Sequence, residues 1–248
     1  MHRFFVDKEN IRDNKVAIIG EDVKHIRNVL RLKEEDIISI CDKQGMDYIA
    51  EIIDLSKEKV VCDIIETKIS NSEPPIEVIL YQGIAKSTKM DLIIQKSTEV
   101  GVAKIVPVIT DRTIVKIQDR KKEENKLERW NKITEEAAKQ SKRGIIPEVC
   151  QILSFNEMLE TLKNNGIIIV PYENEENIGI KEILRGAANK KINIVIGPEG
   201  GFEEEEIELL KAIGAHIVSL GPRILRTETA GLVTSAIVLY ELGDLGVI

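Results

Sequence analysis

Ile192-Asn193-Ile194-Val195-Ile196-Gly197-Pro198-Glu199-Gly200-Gly201-Phe202 is the stretch that decides the fold. A short, β-branched apolar run enters a glycine-rich turn, and Glu203 to Glu206 then open a helix. A run this apolar suits a strand covered on both faces, as strands of parallel sheets are. Glycines after such a strand let the backbone turn sharply and approach a ligand closely. An ordinary tight connection would use them in the same way.

Outward from this segment, apolar runs predict strands at Ile76–Tyr81, Lys104–Val108, Ile167–Val170 and His216–Leu220. Helical patterns alternate with them at Thr88–Val100, Glu123–Ser141, Phe155–Leu162, Ile178–Leu184, Glu203–Ile213 and Thr227–Leu242. This alternation predicts an α/β domain with a mainly parallel sheet covered by helices on both faces. Ligands of such sheets sit at the carboxyl ends of the strands. That rule points to Val170–Tyr172, Gly197–Phe202 and Leu220–Thr229. Upstream, short β-type runs at Arg3–Val6, Lys15–Ile19, Asp36–Cys41, Asp47–Asp54 and Val60–Lys68, with one helix at Glu21–Arg31, predict a small barrel. Ser70–Pro75 reads as a linker. Two domains are therefore expected, residues 1–70 and residues 76–248.

The 248 residues are 43% hydrophobic and 31% charged, enough for packed cores inside a hydrophilic surface. No apolar run reaches the roughly 18–20 residues of a membrane helix. The N-terminus carries charges where a signal peptide would be apolar, so a cytoplasmic protein without membrane partners is expected. Cys41, Cys62 and Cys150 are scattered in apolar runs and read as reduced core residues. His2, His25 and His216 have no ligand spacing, and no metal is expected. The net charge is −7, yet Asp111–Arg143 holds 11 Lys/Arg against 7 Asp/Glu, while the first 70 residues hold 12 against 15. Such a distribution permits nucleic-acid binding without demanding it.

The glycine loop lacks the Lys-Ser/Thr of a P-loop and the spacing of Gly-x-Gly-x-x-Gly. Glu199 and the four following glutamates would repel a phosphate at the helix N-terminus. A dinucleotide or polyphosphate is thereby disfavoured, and a neutral or cationic adenosine derivative is tolerated. A solvated helix start accounts for the glutamates equally well. The second loop, Leu220-Gly221-Pro222-Arg223-Ile224-Leu225-Arg226-Thr227-Glu228-Thr229-Ala230, places two arginines, a glutamate and two threonines between a turn and an apolar helix. Capping plus surface charge would give the same composition. Leu232, Val233, Ala236, Ile237, Val238, Leu239 and Leu242 make the last helix apolar on most sides, which predicts burial all round.

Together the two loops resemble those of the 16S ribosomal RNA uridine-N3 methyltransferases of the SPOUT superfamily. The likeness extends to His25–Arg31, to Lys89, Asp91, Gln95, Lys96, Glu99 and Gly101, and to Trp130–Arg143, and so spans essentially the whole chain. The resemblance implies a PUA-like, RNA-binding β-barrel followed by an α/β domain whose C-terminal segment forms a trefoil knot. It also implies a homodimer, S-adenosylmethionine as cofactor, and 16S ribosomal RNA of the small subunit as substrate, methylated at N3 of a uridine. Arg226 becomes the candidate cation for charge developing on the uracil carbonyls. Glu228 becomes the candidate base, or the group that orients Arg226. Pro171, Ile196, Gly197, Gly200, Leu220, Ile224 and Leu225 are the candidate cofactor residues. Arg27, Arg31, Lys86, Lys89, Arg112, Lys116, Lys142, Arg143 and Arg223 are the candidate RNA contacts. Two rivals stand beside this reading: a nucleotide-dependent oxidoreductase or kinase, and a non-catalytic RNA-binding module.

Overall fold

The computed structural model describes residues 2–114, 120–185 and 191–247. The chain divides into two compact units, one made of Met1–Glu73 with Ala138–Ile146, the other of Pro74–Ala137 with Pro147–Ile248.

In the first unit the strands are β1 (Arg3–Phe5), β2 (Ile11–Arg12), β3 (Lys15–Ile19), β4 (Ile37–Cys41), β5 (Met46–Leu55) and β6 (Lys59–Ile69). They form one mixed sheet in the order β1-β4-β5-β6-β3-β2, in which only the β1–β4 pair is parallel. The long β5–β6 hairpin slips register after Ile49 and again after Ile52. Bulges of this kind bend a sheet, and the result is a half-barrel rather than a closed one. Alternate residues of β3, β5 and β6 turn inward, so that Val16, Ile18, Ala50, Ile52, Val60 and Cys62 share a core with Phe4 and Ile26. The predicted helix at Glu21–Arg31 is a single α-helical turn, α1 (Glu21–Lys24), that widens into a π-helix over His25–Leu30. Arg31 ends it at φ 54°, with its amide bonded to Ile26.

The segment 138–146 completes this unit. Ala138 packs with Phe5 and Cys41, and the Cys41 thiol donates to the Gly144 carbonyl at 3.0 Å. Arg143 is buried, and its guanidinium reaches Glu73 at 2.5 Å. The Glu73 carboxylate also accepts from the Gly144 and Ile145 amides. Arg3 pairs with Asp47 at 2.7 Å and donates to the Arg143 carbonyl.

The second unit begins with β7 (Glu77–Gly83), α2 (Ser87–Val100), β8 (Lys104–Ile109) and α3 (Arg120–Ser141), the last running on into the first unit. Then come β9 (Glu148–Val149), β10 (Leu153–Ser154), α4 (Phe155–Leu162), β11 (Ile167–Pro171) and α5 (Ile180–Arg185). The last elements are β12 (Lys191–Ile196), α6 (Glu204–Ala212), β13 (His216–Val218) and α7 (Thr227–Leu242). All strand pairs are parallel, in the order β10-β8-β7-β12-β11-β13, with β9 also on β8. Strand β12 lies against β7 from Lys191 opposite Glu77 to Ile196 opposite Gln82. Every residue of β7 after Glu77 is buried, as a central strand of a doubly covered sheet requires. One face packs Leu80, Ile94, Ile105, Ile194 and Leu239 together; the other packs Tyr81, Val108, Met158, Val195 and Leu210.

Helix α4 shows how local sequence sets a boundary. Ser154 caps it, accepting from the Glu157 amide while the Glu157 carboxylate accepts from the Ser154 amide. Phe155, Met158, Leu159 and Leu162 then fall on one buried face, each stabilising by roughly 1.5–3 kcal/mol. Helix α7 departs from the expected burial all round. Its buried residues are Thr227, Gly231, Thr234, Ser235, Val238 and Leu239, whereas Leu232, Val233 and Ala236 are half-buried and Tyr240 is 67% exposed. The small hydroxyl-bearing residues face inward because the helix lies close against α2, β12 and β7. Thr234 satisfies its own hydroxyl by donating to the Ala230 carbonyl at 2.7 Å. Among the described residues no helix is long and apolar enough to cross a membrane.

Candidate active site

The carboxyl ends of β11, β12 and β13 open into one cavity of about 840 Å3, within the range of small-molecule sites. Its wall contains Pro171, Ile196, Gly197, Leu220, Ile224 and Leu225, six of the seven cofactor candidates. Ile224 is 85% exposed, an apolar side chain left open at the cavity edge. Gly200, the seventh candidate, does not line the cavity. A Cβ there would lie 3.0 Å from that of Arg112, so this glycine makes room for a neighbouring side chain rather than a ligand.

The glycine loop is braced from three directions. At the end of β7, a Cβ on Gly83 would fall 2.4 Å from the Pro198 nitrogen, so only glycine lets the two backbones lie this close. After β8, Arg112 donates to the Gly200 carbonyl at 2.9 Å and grips Glu203 through two bonds of 2.7 Å. At the start of α2, the Lys86 amide donates to Glu199 at 3.1 Å. Behind the loop Glu206 is buried and accepts from the Glu203 and Asp111 amides. Burial pushes its carboxyl above the usual range, although the two amides oppose the shift. The glutamates at 203–206 are therefore not uniformly a solvated helix start.

Opposite charges meet beside the cavity, whose wall includes Lys89 and Glu199 but not Glu228. Lys89, on α2, places its ammonium 3.4 Å from Glu199 and 3.5 Å from Glu228. Burial pushes the Glu199 carboxyl upward, but amide hydrogen bonds and the Lys89 charge outweigh it and hold the group below the usual range. The same Glu228 oxygen, Oε2, is buried and makes no hydrogen bond; 3.5 Å is an ion-pair separation, not a well-aligned bond. Arg226 stands at the N-cap of α7, exposed, lining the cavity, with no ion pair to any described residue. Glu173, Glu175 and Glu176, just past β11, add carboxylates to the rim. The arrangement suits a ligand that is apolar over much of its surface and positively charged at one end. Among the described residues no group of three His, Cys, Asp or Glu side chains could hold a metal.

The RNA candidates scatter. Arg27 is half-buried, and Arg31 and Lys142 are exposed on the first unit. Lys86 and Arg223 are exposed on the second, the latter on the cavity wall. Lys89 and Arg112 are engaged with carboxylates of the site. Arg143 is buried against Glu73, which removes its guanidinium from any surface role. Lys116 lies outside the described residues. Gln82 and Gly83 lie outside the sequence reading, and Thr227 enters it only as the start of the last helix, within the stretch Leu220–Thr229. The carboxyl-end rule, applied to β7 as well as to β11, β12 and β13, points at the first two.

Two family patterns match the chain: an RNA methyltransferase PUA domain over residues 18–65 and an RNA methyltransferase domain over residues 72–239. The chain is 38% identical to the ribosomal RNA small subunit methyltransferase E of Bacillus subtilis, with 97% of each chain covered. It is 33% identical to the protein of the same name from Buchnera aphidicola, covering 93% of this chain and 90% of that one. Its fold matches the crystal structure of a ribosomal RNA small subunit methyltransferase E from Neisseria gonorrhoeae bound to S-adenosyl methionine. There the TM-score is 0.88 at 32% identity, with 98% and 99% of the two chains covered.

Proposed function

This chain belongs to the RNA methyltransferase family of the ribosomal RNA small subunit methyltransferases E, and we propose that it methylates N3 of a uridine in 16S ribosomal RNA. It is an RNA methyltransferase of the PUA-plus-α/β type. The observation that carries the finer reading is the cavity itself: apolar walls, a carboxylate-rich rim, and Arg226, without an ion pair to any described residue, two positions before the half-buried Glu228.

These residues fit S-adenosylmethionine. Ile196, Leu220, Ile224 and Leu225 would clamp its adenine, Pro171 and Gly197 would meet it with backbone groups, and the rim carboxylates would face its positive charges. When bound, this cofactor supplies an electrophilic methyl group on a sulfonium. The residues of the chain have a separate task, because the neutral imide nitrogen of uracil is a poor nucleophile. The base must be turned out of its stack so that N3 is reachable. Glu228 takes the N3 proton, or holds Arg226 toward the ring. Arg226 stabilises the negative charge that spreads onto the uracil carbonyls as the proton leaves. Lys89 adds a further positive charge to the same wall.

RNA is held by Arg27, Arg31, Lys86, Lys142 and Arg223, and its binding weakens steeply with salt. The active species is a homodimer, supported by the outward set of Leu232, Val233, Ala236 and Tyr240 on α7. A trefoil knot at the C-terminus is supported by the sheet order: the chain passes from β12 over β11 to β13, then returns to pack α7 on β12.

The test has two stages. S-adenosylmethionine at a hundred times its Kd should stabilise the protein by about 2.7 kcal/mol, while NAD and ATP leave it unchanged. Incubation with small-subunit RNA and labelled cofactor, followed by nucleoside mass spectrometry, should give N3-methyluridine. A methyl on another base or on ribose would overturn the N3 assignment. Stabilisation by NAD or ATP alone would support the rival enzyme class.

A further inference from the structure

Gln82 is the last residue but one of β7, and it is fully buried. A side-chain amide buried in an apolar setting is costly unless it is hydrogen-bonded. Its Nε2 donates to the Gly83 carbonyl at 3.0 Å and to Thr227 Oγ1 at 2.8 Å. Thr227 Oγ1 donates in turn to the Gly197 carbonyl at 2.6 Å. The direction is fixed by the proton count: a hydroxyl with its only proton on Gly197 can meet Gln82 only as an acceptor. Gln82 Oε1 is buried without a hydrogen bond, and Gly231 leaves the space beside it, since a Cβ there would stand 3.2 Å away. The fold thus carries an incompletely satisfied amide at this point, and a chain of bonds running one way through it.

The chain joins the end of β7 to two pieces of the cavity wall, the first residue of the glycine loop and the first turn of α7. Thr227 lies between Arg226 and Glu228 in sequence and is itself part of the cavity wall. We propose that Gln82 and Thr227 are positioning residues, which fix the glycine loop against the Arg226–Glu228 pair and so set the distance between methyl donor and base. This rests on the assignment of Arg226 and Glu228 above. Bonds in such a chain strengthen one another, which stiffens the spacing. A misplacement of about 1 Å between reacting groups can cost roughly 100-fold in rate.

The experiment compares Thr227→Val, Thr227→Ser and Gln82→Met in the full-length enzyme. Valine keeps the shape and loses the hydroxyl, serine keeps the hydroxyl, and methionine keeps the volume of Gln82 without its amide. Cofactor Kd is read by calorimetry, and single-turnover rate on small-subunit RNA by label transfer. Thr227→Val and Gln82→Met should retain the wild-type Kd within about threefold and lose about 100-fold in rate. Thr227→Ser should return to within about tenfold of wild type. Wild-type turnover in either of the first two variants overturns the proposal. So does a loss in Thr227→Ser as deep as in Thr227→Val, because the hydroxyl would then be irrelevant. Should Thr227→Val fail to fold, the Gln82→Met and Thr227→Ser pair still decides. A wild-type enzyme that methylates nothing would instead remove the functional reading beneath it.

Discussion

Lys89, on the cavity wall, and Glu228 stand 3.5 Å apart and tie α2 to the first turn of α7. The lysine thereby lies among the carboxylates of the site, and a role there predicts a different outcome from a phosphate contact. Lys89→Met takes a positive charge away from where uracil becomes negative. Turnover should fall roughly 10- to 100-fold, and S-adenosylmethionine, itself a cation, should bind at least as tightly. The salt dependence of RNA binding should keep its slope, since no phosphate contact is lost. Unchanged turnover with a shallower slope would return Lys89 to the RNA surface.

Arg226 has no ion-pair partner among the described residues, so its removal strands no buried charge. Arg226→Ala should leave cofactor affinity nearly intact and reduce turnover by about 100- to 1,000-fold, as loss of one donor to a developing oxyanion does. Normal turnover would exclude it from the mechanism. For Glu228→Gln, the rate deficit should shrink as pH rises and solvent takes over the proton. A deficit constant with pH would point to the orienting role instead.

Gly83 and Gly200 make a paired test of the glycine loop. Gly83→Ala places a methyl 2.4 Å from backbone that cannot yield, so the loop must move and the thermal shift induced by S-adenosylmethionine should vanish. Gly200→Ala meets the Cβ of Arg112 at 3.0 Å, a contact relieved by a displacement of a few tenths of an ångström, and should keep most of that shift. Equal behaviour of the two variants would show that the loop is not anchored at β7.

Glu199 links the site to acid stability. Its folded-state carboxyl titrates below the usual range, so folding favours the ionised form. The stability it contributes is complete above the ordinary carboxylate value and disappears as pH falls through the lowered one. Glu199→Gln should therefore lower the melting temperature near pH 7 and converge with wild type once the pH has fallen through the lowered carboxylate range. A constant difference through that range would contradict the shift.

Arg143 belongs to the interior of the first unit. Arg143→Met leaves the half-buried Glu73 with only its amide donors, the loss of a charge-assisted bond that costs about 1.5–3 kcal/mol. The melting temperature should drop by several degrees, and a second change, Glu73→Leu, should recover much of the loss. Weaker RNA binding with unchanged stability would restore Arg143 as an RNA contact.

What was legible in the sequence follows from periodicity. The elements Phe155–Leu162 and Thr227–Leu242 have the bounds expected from the sequence, because a capping box opens the first and a charged loop precedes the second. The short strands β9 and β10 escaped because two residues carry no period. The π-helix at His25–Leu30 escaped because its apolar spacing matches that of an α-helix. In the site, the loops were visible through their glycines and the carboxyl-end rule, and the cofactor candidates they supplied lie together save for Gly200. Charge alone could not separate Lys89 and Arg143 from true surface cations, since both roles use the same residue types. Gln82 looked like any polar residue after a strand; only packing reveals that α7 covers it. The orientation of α7 was illegible for a related reason, because a helix apolar on most sides does not say which side is hidden.

The pairing of β7 with β12 has a consequence for synthesis. The partner of residues 77–83 is residues 191–196, so a nascent chain leaves the ribosome exit with the middle strand of its sheet lacking one neighbour until most of the protein has been made. During that interval an apolar edge is exposed to other chains. Arg226 and Glu228 come later still, which means that no truncated translation product can carry a finished active site.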